Sequence, residues 1–164
     1  MKKTERFLIR DEIEKIVRSK NISENSFAEY SKTGYQEVIT RFRYAFTDNS
    51  EGRNPGSRGD MSDISFSWNH IKKGLSNPLN ISLMKNSWAE MLDRVRDVMR
   101  GPADDRLFLI MEEGWVYFGK IDEILTVLKE AEGLITAFYL FSTVFDRLAV
   151  YADDADCMSF YRKG

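Results

Sequence analysis

The last third of the chain shows a regular alternation of apolar runs and polar turns. Two apolar runs, at 107–112 and 115–119, flank a short polar turn and predict a β-hairpin. A helical pattern over 122–132 follows, and Gly133 ends it. The pattern therefore predicts a mostly antiparallel sheet with one helix crossing between its hairpins. Its remaining strands are predicted at 136–143, 146–151 and 156–161.

The first two thirds of the chain are predicted to be mainly helical. Apolar spacing indicates a helix over 4–20 and a short second helix from 23 to 30. The segment 35–46 also has helical spacing, although aromatic residues at positions 42, 44 and 46 leave a strand as the alternative. The other predicted elements are a short strand at 79–83 and a helix capped by Asn86 or Ser87 that runs to Val98 or Met99.

The segment 47–63 is predicted to be a flexible loop. It is rich in Gly, Pro, Asn, Asp and Ser and has no apolar periodicity. It separates too little sequence to mark a domain boundary. The chain, 1–164, is therefore predicted to be a single α+β domain.

Composition excludes several classes of function. Lys plus Arg is 24 and Asp plus Glu is 26, so the net charge of −2 gives no electrostatic case for direct binding to nucleic acid. One cysteine, Cys157, and one histidine, His70, rule out a disulfide framework and a thiol- or histidine-rich metal site. No signal peptide or membrane-spanning stretch is visible, so a cytoplasmic protein without membrane contact is expected.

Three acidic clusters at predicted turns or strand ends are the remaining candidates for function. Turns favour Asp, so the clusters have an ordinary structural explanation. They would also attract a basic partner and speed its association, and a nearby exposed aromatic side chain would serve as an anchor. The residues predicted to bind a partner are Asp104, Asp105, Glu112, Glu113, Trp115, Asp153, Asp154 and Asp156.

The C-terminal strands also carry a pattern similar to that of a known family. A strand with an aromatic-Tyr-apolar core ends in Ser, and an aromatic-acidic pair, a leucine-containing strand and a polar turn follow. Over about residues 68–161 the chain resembles small bacterial immunity proteins of the SUKH type. The family's usual Trp after the acidic residue is Arg147 here. The matching positions are Tyr139, Ser142, Phe145, Asp146, Leu148, Asp153 and Asp154.

This resemblance implies an α+β fold and a non-enzymatic function. Such proteins bind and neutralise a cognate bacterial toxin, often a nuclease, so no cofactor is expected and a homodimer is possible. The alternative is a small-ligand-binding protein or a carboxylate-based enzyme with a pocket near the 47–63 loop. A structural scaffold subunit is a third interpretation.

Overall fold

A seven-stranded antiparallel sheet organises the fold, whose class is α+β as predicted. The computed structural model describes residues 5–30, 34–47, 71, 75–82, 85–100, 105–111, 115–153 and 157–163. The helices among them are α1 (Glu5–Ser19), α2 (Tyr35–Phe46), α3 (Trp88–Met99) and α4 (Ile121–Glu130). The strands are β1 (Phe27–Glu29), β2 (Ser76–Ser82), β3 (Arg106–Met111), β4 (Val116–Lys120), β5 (Ala137–Ser142), β6 (Arg147–Ala152) and β7 (Cys157–Arg162).

The strand order is β1-β4-β3-β5-β6-β7-β2, and every pairing is antiparallel. The five central strands are those predicted from the last third of the chain, and α4 crosses between β4 and β5 as expected. Both edge strands come from the first two thirds.

Strand β2 begins at Ser76, earlier than predicted, and its register shifts between Ser76 and Leu79. Pro78 lies in this interval, and an edge strand tolerates proline because its outer N–H groups need no partner.

The short helix predicted over 23–30 is wrong, because Phe27–Glu29 forms the edge strand β1 on β4. The Phe27 ring stacks on Tyr117 with centroids 5.2 Å apart. Gly119 permits this pairing, since a Cβ there would lie 2.5 Å from the Ser26 carbonyl oxygen. A contact distant in sequence therefore overrides the local helical spacing.

Alternation along the strands builds a separate core on each face of the sheet. In β3, Leu107 and Leu109 join the core under α1, α3 and α4, whereas Phe108 and Ile110 join the core under α2.

The helical interpretation of 35–46 is confirmed. The buried face of α2 has the four-residue spacing of a helix, at Val38, Phe42 and Phe46. The predicted loop at 47–63 lies outside the described residues except for Thr47, which forms an isolated bridge with Ile71.

The turn between β5 and β6 contains several residues of the family-like pattern. The Ser142 hydroxyl donates to Asp146 Oδ1 at 2.6 Å and accepts from the backbone N–H groups of Asp146 and Arg147 at 3.0 and 3.1 Å. Phe145 is buried in the turn with a φ of 59°, a left-handed conformation that is strained for a bulky residue. In this chain these positions therefore stabilise a tight turn.

Arg147, which stands where the resembled family has Trp, connects the sheet to α3. Its Nη1 donates to the carbonyl oxygen of Met99 at 2.6 Å. Met99 is the last residue of α3, where carbonyl groups lack partners within the helix and a cation is favourable. The side chain therefore holds the C-terminal end of α3 against β6.

The close approach of β1 and β4 predicts a specific cost for a methyl group at position 119. We expect Gly119→Ala to lower the free energy of unfolding by about 2 kcal/mol, because backbone must move to admit the Cβ. Gly133→Ala, where φ is +86° and the space is open, is expected to cost about 1 kcal/mol through backbone strain alone. Urea denaturation measures the stability loss of both variants. Amide hydrogen exchange should show faster opening of β1, residues 27–29, in Gly119→Ala but not in Gly133→Ala. A stability of Gly119→Ala equal to that of the parent would contradict the close approach.

The β5–β6 turn predicts a pH-dependent contribution to stability. The Ser142 hydrogen bond, aided by Arg147, lowers the pKa of Asp146 from its ordinary value of 3.8. A carboxylate with a lowered pKa in the folded state stabilises the fold above the ordinary value, and this contribution disappears as the pH falls through the lowered pKa. We therefore expect Asp146→Asn to be less stable than the parent at pH 7 and to approach the stability of the parent as the pH falls below 3.8 and through the lowered pKa. When Ser142 is also replaced by Ala, the stability difference caused by Asp146→Asn should depend less on pH, because the Ser142 hydrogen bond to the carboxylate is absent. If the stability difference between Asp146→Asn and the parent stayed constant from pH 7 to pH 2, this pH-dependent contribution would be contradicted.

Candidate functional site

The described residues predicted to bind a partner lie at two opposite ends of the sheet. Met111, at the end of β3, and Ala152, at the end of β6, both pair with the start of β5. Asp153 follows β6 directly at this end. Asp105 precedes β3 at the other end, about 20 Å from Met111 along a six-residue strand. Both side chains are exposed, but they cannot contact the same small group.

Trp115 lies at the same end of the sheet as Asp153, and its side chain is half-buried. It packs against the core under α1, α3 and α4, and the Arg10 guanidinium carbon lies 4.8 Å from its ring centroid. Arg10 Nε also donates to Glu29 Oε1 at 2.9 Å, a hydrogen bond that raises the pKa of Arg10. The use of Trp115 as a partner anchor stays a prediction. The other predicted residues, Asp104, Glu112, Glu113, Asp154 and Asp156, lie outside the described residues.

A pocket of about 380 Å³ opens beside Asp153. Its walls come from the start of α3, the segment that follows α4 and the end of β6. The structure thus brings Asp153 together with Glu132, a second exposed carboxylate that was not predicted. Of the described residues that line this pocket, these two are acidic and none is Lys or Arg. The pocket therefore favours a positively charged group.

Two aromatic side chains form the inner wall of the pocket. The Trp88 ring meets Tyr151 nearly edge-on, with centroids 5.0 Å apart and an interplanar angle of 79°. Trp88 Nε1 donates to the carbonyl oxygen of Leu128 in α4 at 2.8 Å. Both rings are almost fully buried, so the wall is held by core packing and by a buried hydrogen bond.

The start of α3 is fixed by its own capping interactions. The Ser87 hydroxyl accepts from the backbone N–H of Glu90 at 3.1 Å, and the Glu90 carboxylate accepts from the Ser87 N–H at 2.8 Å. This reciprocal pair is a capping box. Asn86 donates to the carbonyl oxygen of Ser82 at 3.0 Å and so connects the cap to the edge strand β2. The polar residues on this side of the pocket are therefore positioned by the fold.

The opposite side of the pocket is the segment that ends α4. Gly133 adopts a positive φ of 86°, which turns the chain sharply after Glu132. Leu134 is 50% exposed beside this turn. The Asp153 N–H donates to the carbonyl oxygen of Thr136 at 2.7 Å, which fixes the end of β6 against the same segment. Glu132 and Asp153 are thus carried by two different elements that meet at the pocket.

The residue pattern predicts the start of α3 and the end of α4, but it does not show that these two helix ends meet. The cap at Ser87 and the stop at Gly133 are both visible in the residue pattern. Their adjacency depends on the packing of α3 and α4 over the sheet, which no local signal reports. The alternative interpretation placed a pocket near 47–63, whereas this pocket is formed by α3, the end of α4 and β6.

Three further features of the described residues concern metal ligands, helix length and the single cysteine. No group of three or more His, Cys, Asp or Glu among them is arranged to hold a metal ion. None of the helices in this part of the chain has the length and apolar content needed to cross a membrane. Cys157, at the start of β7, is half-buried, and its thiol lies 3.7 Å from the Ser159 hydroxyl oxygen.

The capping box predicts a stability effect at the pocket wall. We expect Ser87→Ala to lower the free energy of unfolding by about 1 kcal/mol, because an N–H of α3 loses its acceptor. Ser87→Asp keeps an acceptor at the cap and should retain most of the stability. Urea denaturation with circular dichroism compares the two variants with the parent. Equal losses in both would show that the cap hydrogen bond is not what stabilises this end of α3.

Comparison with known proteins places the chain in a family. No curated protein and no solved structure matches it. A match is found with a family of unknown function, DUF6756, over residues 5–163. The match includes every helix and strand from α1 to β7 and all the described residues of the pocket. The chain therefore belongs to the DUF6756 family.

Proposed function

We propose that this protein is a bacterial immunity protein that neutralises a cognate toxin by binding it, without a reaction of its own. The observation that carries the proposal is the pocket at one end of the sheet, where Glu132 and Asp153 provide two exposed carboxylates next to an aromatic wall. The resemblance of the C-terminal strands to SUKH-type proteins supports the same function. A cytoplasmic location follows from this role.

The chemistry of such a toxin explains why an acidic surface would inhibit it. A nuclease contacts the phosphates of its substrate mainly through Lys and Arg side chains. An acidic surface competes for these same groups, and it also accelerates association by electrostatic attraction. The bound protein would cover the basic cleft and exclude nucleic acid. The protein itself needs no contact with nucleic acid or with a membrane in this mechanism.

For the attraction of a basic toxin surface, the local distribution of charge matters more than the net charge of −2. Arg96 and Lys129, on α3 and α4, are paired with Asp93 and Asp122 on the same two helices. Glu132 and Asp153 lie beyond this network, at the pocket. The pocket end of the sheet is therefore the acidic surface that we assign to the toxin.

A second candidate function is the binding of a small organic cation by the same pocket. Its volume of about 380 Å³ is within the range of small-ligand sites. In that case the protein would bind a free metabolite and would give no protection against a toxin. The two functions make different predictions in the experiment that follows.

The test begins with the product of the gene next to that of this protein. We expect expression of that product alone to arrest bacterial growth, and co-expression with this protein to restore it. The purified pair should form a complex that calorimetry can measure and whose stoichiometry light scattering reports, with either a monomer or a homodimer of this protein. The proposal fails if the neighbouring product is harmless and no candidate toxin domain is neutralised.

Variants of the pocket then test the surface. We expect the double substitution Glu132→Gln and Asp153→Asn to weaken the complex about tenfold or more at low salt, because two charge contacts are lost. The effect should decrease as the salt concentration rises, since screening weakens exposed charge pairs. The matched control is Asp97→Asn, which removes an exposed carboxylate on α3 outside the pocket and should leave the affinity unchanged. Equal losses in the control and the double variant would contradict the assigned surface.

A further inference from the structure

We infer that the pocket is a receptor for one arginine side chain of the partner, with the guanidinium bound by Glu132 and Asp153. This inference deepens the proposed function and rests on it for the identity of the partner as a protein. The binding of the side chain itself is a property of the pocket and can be measured without a toxin.

The charge of the lining points to a cation. Glu132 and Asp153 are both exposed at the pocket, and the described lining contains no Lys or Arg that would neutralise them. The nearby cation Lys129 forms an ion pair with Asp93 at 3.0 Å. A positively charged guest would therefore gain charge-assisted hydrogen bonds to the carboxylates.

The arrangement of the two carboxylates favours arginine over lysine. Glu132 follows α4 and Asp153 follows β6, so the two groups approach the pocket from separate elements. A planar guanidinium offers five N–H donors in a fixed fork and can bond to two acceptors at once, whereas an ammonium is a single compact charge. A guanidinium is also weakly hydrated and packs well against aromatic rings such as the wall of Trp88 and Tyr151.

Apolar surface is present for the stem of the side chain. Trp88, Ile135 and Tyr151 contribute apolar surface to the lining of the pocket. An arginine buries its methylene groups on such surface while its charged end reaches polar groups. A compact inorganic cation would not use this surface.

The pocket is already organised in the free protein. The Trp88–Leu128 hydrogen bond of 2.8 Å holds the aromatic wall, and the Asp153–Thr136 hydrogen bond of 2.7 Å holds the end of β6. Binding therefore requires ordering of the guest and of two acidic side chains but no rearrangement of backbone. A small ordering cost allows a single side chain to bind measurably.

The test uses two probes of nearly equal shape, N-acetyl-arginine amide and N-acetyl-citrulline amide. Citrulline replaces the charged guanidinium with a neutral urea group. In nuclear magnetic resonance titrations of the full chain, we expect the arginine probe to shift the Trp88 indole N–H and the backbone amides of Gly133 and Asp153. Its dissociation constant should be in the millimolar range, and that of the citrulline probe at least fivefold weaker. Equal affinity for both probes, or shifts confined to other regions, would overturn the inference.

Single substitutions assign the acceptors. Glu132→Gln and Asp153→Asn are each expected to weaken arginine-probe binding about threefold, whereas Asp97→Asn should not change it. All three residues are exposed, so the fold should be retained, and denaturation curves check this. Unchanged affinity in both pocket variants would refute the assignment.

The two proposals can fail independently. If the probe binds but no toxin is neutralised, the arginine pocket is supported and the immunity function is contradicted. If neutralisation occurs without probe binding, only the arginine pocket is contradicted.

Discussion

The burial of β3 on both of its faces determines how the neighbouring strands and helices are arranged. This strand pairs with β4 on one side and β5 on the other, and its residues from Leu107 to Met111 are buried. Each strand flanking it must therefore present apolar side chains to two cores at once. Three helices cover one face and α2 contributes to the cover on the other. The pocket forms where the helices of the first face reach the end of the sheet.

The position of α3 determines the shape of that pocket. Its first turn is fixed by the Ser87 capping box, and its last carbonyl group accepts a hydrogen bond from Arg147 in β6. Ion pairs between Asp93 and Lys129 connect α3 to α4 along their exposed sides. Exposed ion pairs contribute little individually, so the buried faces of the helices provide most of the stability. The aromatic wall of the site is thus built on regular elements, which hold side chains more precisely than loops do, whereas Glu132 and Asp153 lie in the turns that follow α4 and β6.

Local patterns were sufficient to predict most elements, whereas contacts distant in sequence decided the rest. Helix α3 was predictable because its cap, apolar face and stop are all local signals. Strand β1 was not, because its conformation depends on a glycine in β4 about ninety residues away that allows the backbones to approach. The same limit applies to the pocket. Asp153 was identified as a candidate, but Glu132 was not, since only the tertiary fold brings the segment that follows α4 next to the end of β6.

The family-like pattern of the C-terminal strands also has a structural explanation in this chain. Ser142 and Asp146 form a hydrogen-bonded turn that holds Phe145 in a strained but buried conformation. Most residues that carry the resemblance therefore stabilise the fold, whereas Asp153 also lines the pocket that we propose binds a partner.

A crystal structure of the protein bound to the toxin that we propose it neutralises would show directly which surface is used. We predict a toxin arginine in the pocket, with its guanidinium within hydrogen-bond distance of Glu132 and Asp153 and its stem against the apolar part of the lining. A complex in which this pocket stays open to solvent, with the toxin at the Asp105 end of the sheet, would contradict it.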